Sequence, residues 1–223
     1  MHPTIRKESM RDKRVGAKQP ERFDHHKAAQ LDDPARFDYL PPGEVFALLD
    51  APKSVVVVDF GAGTGTYALK LAQARPDLAI IALDEQPRML EFIRKKLSAS
   101  PVPNLRPVLA DEKGLAGLRE CAARVLALNV LHEMGDDAIR RLAALLAPHG
   151  QVLFIDWNAI ERPVGPPREH VFTPAEAIHR LGTFGLRVIG EKPFRYHYAL
   201  ICKRSALRAS SADAESPAPG SAA

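Results

Sequence analysis

The chain has 223 residues, 46% of them apolar, and a formal net charge of +4. That length and apolar content suit one packed domain and exclude wholesale disorder, while two cysteines, Cys121 and Cys202, exclude a disulfide framework or a cysteine-rich zinc module. There is no run of eighteen apolar residues and no apolar stretch near residue 1, so neither a membrane-spanning helix nor a secretory signal is expected, and the chain reads as cytoplasmic.

The charge is unevenly placed. Residues 1–22 hold seven basic and three acidic side chains, so the excess belongs to an N-terminal segment and the remainder is neutral. Residues 1–20 lack hydrophobic periodicity and read as a flexible basic arm. Residues 205–223, rich in Ser, Ala and Pro, read as a disordered tail. Between them, 21–204 forms one domain, with a helical lid at 21–50 and a core at 54–204. Pro41-Pro42 starts the helix that docks on that core. Residues 54–60 (SVVVVDF) are a β-branched run, the mark of a strand buried on both faces. A glycine loop follows, then a helix over 66–74 that Arg75-Pro76-Asp77 breaks. The next strand is 78–83, ending at Asp84, and Pro87 opens a helix to about Ser98. Further strands are expected at 105–109 and 124–128, then a helix over 136–147 capped by Asp136 and stopped by Pro148-His149-Gly150. A fifth strand spans 151–156. Thr173 caps a helix to Leu181, and 186–191 and 196–203 form a closing hairpin that turns at Lys192-Pro193. The alternation predicts an α/β fold: a Rossmann-like open twisted sheet, mostly parallel, with one antiparallel strand from the C-terminal hairpin and helices on both faces.

The segment Asp59-Phe60-Gly61-Ala62-Gly63-Thr64-Gly65 carries the most chemistry. Glycines at a strand–helix turn let the backbone turn sharply and meet a ligand closely, and the helix N-terminus beyond offers free N–H groups. The pattern is D-x-G-x-G-x-G. It is not the dinucleotide G-x-G-x-x-G, because Thr66 stands where the third glycine would be, and no G-K-[ST] follows. Asp84 ends the second strand and Asp111 follows the third, so three acids at three consecutive strand ends face one crevice.

With VVVVDFGAGTGTYALKLA, IIALDEQPRML, VLADEKGL, ALNVLHEM and LAPHGQVLFIDW in order over about Val55 to Trp157, the chain resembles the class I S-adenosylmethionine-dependent methyltransferases. The resemblance implies S-adenosylmethionine as cofactor. It implies that Gly61, Gly63 and Gly65 line the methionine and ribose portion, with Asp59 near the methionine amino group. Asp84 would hold the ribose diol, Asp111 would face the adenine amine with Glu112 beside the ring, and Asn129 would sit beside the sulfonium. After strand four stands Asn129-Val130-Leu131-His132. That departs from the Asn/Asp-Pro-Pro-aromatic turn of adenine and glutamine-amide methyltransferases and from the Pro-Cys of cytosine C5 enzymes. Two scattered cysteines also argue against arsenite as acceptor.

What remains is similar to the branch that methylates quinones and related metabolites, so a small-molecule acceptor is expected. In that branch the N-terminal region closes over the site. Here it supplies Phe23, His25, His26, Phe37 and Tyr39 as walls. His132, next to Glu133 and three residues past Asn129, is the first candidate for proton transfer, with activity rising through pH 6–7 as an ordinary imidazole deprotonates. His26 is the second. His25, His170, His197 and Asp156 are candidates to converge there, and Trp157 and Asn158 to line the acceptor pocket. No histidine pair has i, i+3 or i, i+4 spacing, so no metal site is expected. Two rival readings stand beside this one: an RNA or protein methyltransferase using the basic arm, and a non-catalytic cofactor-binding protein of the same fold.

Overall fold

A computed structural model describes residues 23–205, so the expected arm and nearly all of the expected tail lie outside the described residues. Two short 3-10 helices, His25–Asp32 and Pro34–Asp38, lead into α1 (Pro42–Leu49). There follow β1 (Val56–Phe60), α2 (Thr66–Ala74), β2 (Ala79–Asp84), α3 (Pro87–Ala99), β3 (Leu105–Leu109), α4 (Glu112–Ala116) and β4 (Ala122–Leu128). A 3-10 turn, Leu131–Glu133, precedes α5 (Asp136–Leu145) and β5 (Leu146–Trp157). Then come α6 (Pro174–Thr183), β6 (Leu186–Pro193) and β7 (His197–Arg204). The strands form one seven-stranded sheet in the order β3-β2-β1-β4-β5-β7-β6. β1 to β5 pair in parallel, and β7 runs antiparallel to both β5 and β6. This is the open, mostly parallel sheet that the alternation of elements predicts.

Each face of the sheet carries its own core, and for that reason the strands read as continuous apolar runs. On one face Val57, Ile80, Ala82, Leu126, Leu153 and Ala199 pack under α1, α2 and α3. On the other, Val58, Ile81, Val125, Phe154 and Leu200 pack under α5 and α6. The helices bury one stripe each: Tyr67, Ala68, Leu71 and Ala72 in α2, and Ile139, Leu142 and Leu145 in α5. α6 starts with a complete capping box between Thr173 and Glu176.

Two boundaries differ from expectation for physical reasons. Gly135, not Asp136, is the N-cap of α5; Asp136 and Asp137 sit in its first turn, where the helix dipole favours acids. Pro148-His149-Gly150 does not separate helix from strand. β5 begins at Leu146, which pairs with Ala122, while Gln151 pairs with Arg124, so the intervening residues bulge out of the strand. The hairpin turn falls after Pro193 rather than at it.

The N-terminal segment is tied to the sheet by a buried cation. Arg124, on β4, donates from Nε to the carbonyls of Leu49 and Asp50 at 2.9 and 3.1 Å, binding the end of α1. Tyr67 of α2 donates its hydroxyl to the Leu40 carbonyl at 2.7 Å. These bonds anchor the segment at Leu40 and at the end of α1.

Candidate functional site

The order of the sheet reverses between β1 and β4, and ligands of such sheets bind in the crevice at that point. The glycine loop forms one wall. The Gly61 and Ala62 amides donate to the Leu83 carbonyl at 2.8 and 3.0 Å, so the loop leaves β1 alongside β2. Gly61 has φ +73°, and a Cβ there would stand 2.6 Å from Val130 Cγ1; only glycine lets the loop lie against the segment after β4. Gly63 has φ +56° and faces Leu31 Cδ1 of the N-terminal segment, 2.9 Å from where a Cβ would be. Asp84 stitches this wall together. Its Oδ2 accepts from the Gly63 amide at 2.8 Å and its Oδ1 from the Gln86 amide at 2.9 Å.

Two buried carboxylates therefore stand side by side at the ends of β1 and β2, Asp59 4% and Asp84 7% exposed. Burial, and then the charge of Asp84, push Asp59 up to about 7; burial also raises Asp84. Such a pair is costly alone and suits a ligand rich in positive charge and hydroxyl donors. The Asn129 side-chain oxygen adds a buried acceptor with no partner among the described residues, on a backbone held at φ +57°. An ammonium, a ribose diol and a cationic sulfur would meet these groups well, so the residues present fit S-adenosylmethionine. Asp111 and Glu112 lie at the end of β3. Asp111 caps α4, its Oδ1 accepting from the Gly114 amide at 2.7 Å, and both residues are exposed.

The other half of the crevice is built at the ends of β4, β5 and β7. The Asn129 amide donates to the Ile155 carbonyl at 2.7 Å, setting the two strand ends together. Asp156, fully buried, then takes His132 twice: the backbone amide donates to Oδ2 at 2.9 Å and Nδ1 lies 2.7 Å from Oδ1. Nε2 lies 3.5 Å from Glu133 Oε1. Burial opposes a charged imidazole, but Asp156 and Glu133 outweigh it and push His132 up to about 9. This differs from the ordinary imidazole assumed from sequence, and the cause is a carboxylate on each side of the ring. His197 also comes to this half, whereas His26 lies in a groove with Arg88, Glu91, Phe92 and Lys95 beside α3, and His170 is exposed on a separate 3-10 turn. Among the described residues, no group of three or more His, Cys, Asp or Glu stands close enough to hold a metal.

A strap spans the two halves. The Phe23 amide donates to Glu133 Oε2 at 3.0 Å, and the Phe23 carbonyl accepts from Gln86 Nε2 at 3.0 Å. Further along, Asp32 Oδ1 accepts from Thr64 Oγ1 at 2.7 Å, from Thr66 Oγ1, and from Lys96 Nζ at 2.6 Å. The sequence places Glu133 beside His132 but does not show its reach to Phe23, and it does not single out Asp32; both bonds cross more than thirty residues of chain.

Residues 57–150 match the family profile described as a methyltransferase domain. A release factor glutamine methyltransferase of Mycolicibacterium smegmatis is 36% identical over 70 residues, 29% of this chain and 25% of that protein. A tRNA (guanine-N(7)-)-methyltransferase of Lactiplantibacillus plantarum is 29% identical over 63 residues, 28% of this chain and 29% of its own length. The chain thus spans little more than a quarter of the curated relatives it matches. A SAM-dependent methyltransferase structure from Aquifex aeolicus superposes with a TM-score of 0.76 at 24% identity, covering 81% of this chain and 98% of that one. Residues 57–150 thus match a methyltransferase-domain profile and lie on the fold of a SAM-dependent methyltransferase, which supports S-adenosylmethionine as the cofactor.

Proposed function

We propose that this protein transfers the methyl group of S-adenosylmethionine to a small-molecule acceptor bound at the ends of β4, β5 and β7. The observation that carries the reading is the enclosure of His132. Its side chain is only 8% exposed, and the Phe23 strap closes over Glu133 beside it. A group so covered favours a compact acceptor over a polymer.

The cofactor supplies an electrophilic methyl; the chain supplies orientation and a place for a proton. Asp59, Asp84 and the glycine loop hold the cofactor, and Asn129 faces its charged end. Asp156 fixes the His132 ring through Nδ1, and Nε2, 3.5 Å from Glu133 Oε1, is the nitrogen that would turn to the acceptor. Because His132 is held up to about 9, it takes a proton readily but is free to do so only in its neutral fraction. Activity is therefore expected to rise with pH until about 9. His26, on the α3 side, would need the segment before Leu31 to move before it could serve the same acceptor.

A second reading is favoured by the names of the relatives, which act on tRNA or a release factor, and by the basic excess in residues 1–22. A labelled-methyl transfer assay on a cell extract split into small-molecule, RNA and protein fractions separates the two. Label is expected in the small-molecule fraction. Label confined to RNA or protein would overturn the proposal.

A further inference from the structure

Next to His132 the sheet ends in a cluster of rings. Trp157 and His197 are register partners on β5 and β7, with ring centroids 4.0 Å apart. Tyr39 of the N-terminal segment stacks on His197 at 5.7 Å and 9°, and lies 5.8 Å from both Trp157 and Tyr196. His197 is 1% exposed, yet neither of its nitrogens has a partner among the described residues. Buried imidazole nitrogens are normally satisfied, so two bare ones point to a polar atom that arrives with a ligand.

Arg162 supplies a second bare group in the same place. Its guanidinium lies 5.2 Å over the Trp157 ring. Nη1 donates to the Asn158 and Ile160 carbonyls and Nη2 to that of Pro166, so the loop's own backbone fixes the fork. Nε is buried and without a partner, and Arg162 has no ion pair among the described residues. The same loop folds round a cavity of about 410 Å³ lined by its own residues 160–168, Glu161, Arg162 and Arg168 among them, and Gly165 of that lining rests on the indole of Trp157. That volume falls within the roughly 300–1,000 Å³ of small-molecule sites.

Rings alone would also suit a cation. Here a fixed guanidinium faces the cluster, and Arg36 adds its field at His197. Burial holds the His197 imidazole neutral, pushed down to about 3; Asp156, already engaged by His132 and the Trp157 amide, opposes this, and Arg36, Arg162 and His132 add to it, so the ring can donate one hydrogen bond and accept another. A cationic ligand is repelled, and an anionic oxygen finds an unused N–H on a positive group.

We propose that the cluster of Trp157, His197, Tyr39 and Arg162, beside the cavity of the 160–168 loop, binds a planar aromatic acceptor that carries an anionic oxygen, the oxygen seated on Arg162 Nε–H and His197 and the ring against Trp157. This names the acceptor class of the site and rests on the methyl-transfer reading above.

Trp157 is the single tryptophan of the chain, so its emission reports this pocket alone. Benzoate and naphthoate, titrated against the full-length protein, should change that emission saturably, and the neutral amides benzamide and naphthamide should bind about tenfold more weakly or worse. His197→Phe keeps the ring packing and removes both nitrogens. It should lower naphthoate affinity by about tenfold while the melting temperature holds or rises, because a bare buried polar group is lost. Arg162→Gln should lower it at least as far. Cofactor binding, measured by calorimetry on the same samples, should stay within about twofold in both variants. Equal binding of acids and amides, no saturable response to either acid, or an unchanged His197→Phe would each overturn the pocket. If the acids bind as stated but S-adenosylmethionine does not, the pocket stands and the methyl-transfer reading falls.

Discussion

The two halves of the crevice are built by different means. The cofactor half is local: strand, loop and helix follow each other from Asp59 to Thr66, and Asp84 joins by two bonds to backbone amides. The proposed acceptor half is assembled from the distant segments around Tyr39, His132, Trp157 and His197, brought together by strand register. The first uses main-chain N–H groups and positive-φ glycines, which tolerate little change. The second uses side chains on a common frame, where substitution changes what is bound before it changes the fold.

The sharpest way to break this division is at His132. His132→Ala should lower kcat by about 10²–10⁴-fold, roughly 3–5 kcal/mol of barrier, with cofactor affinity within about twofold. Steady-state kinetics beside calorimetry checks both. The neutral imidazole is the accepting form, so activity of the parent should rise with pH towards about 9 and level beyond it, and the variant should lack that limb. His132→Gln with full kcat would reduce the residue to a positioning role.

Asp84→Ala tests the opposite half. Removing it frees the Gly63 and Gln86 amides and takes a carboxylate from the ribose, and cofactor affinity should fall by about 1–3 kcal/mol. A turnover at saturating cofactor close to the parent's would keep the halves separate; a collapse of kcat would join them.

A smaller effect sharpens the electrostatics. Asp59, raised to about 7, is largely protonated at pH 6, and an ammonium ligand requires it ionised. Affinity for S-adenosylmethionine should therefore climb by up to about tenfold per pH unit below 7, then flatten, and Asp59→Asn should abolish the slope. Folding has the opposite sign: the raised carboxyl gives its full contribution below about 4, and that contribution is lost as pH rises through 7. A flat binding profile in the parent would place the ammonium elsewhere.

The smallest effect lies between the halves. Asp32→Ala removes the acceptor for Thr64, Thr66 and Lys96, on side chains about one-third exposed. The loss should be about 1 kcal/mol, or roughly 2–4 °C in Tm by calorimetric scan. A larger drop would mean that the N-terminal segment is part of the core rather than a cover.

How much of this was legible in the sequence follows the same division. The strand run at 54–60, the glycine spacing and Asp84 are local patterns, and the parallel sheet follows from the alternation of elements. Asp111 was legible only as an acid after a strand; that it spends one oxygen capping α4 depends on a five-residue helix too short to show a period. His132 was legible by position, but not its basicity, because Asp156 lies 24 residues on and meets it only through the pairing of β4 with β5. The bulge at the start of β5 hid in a Pro-His-Gly triplet that reads as a helix stop. The bare nitrogens of His197 have no sequence signature, since they follow from the β5–β7 register and from what packs over it.

The strap at Phe23 grips Glu133 and Gln86 through its own peptide groups, not its ring. Its hold is thus indifferent to which side chain stands at position 23, proline excepted, for proline would forfeit the amide. Any opening of the strap must break both of these main-chain bonds, a cost that substitution at that residue can hardly retune.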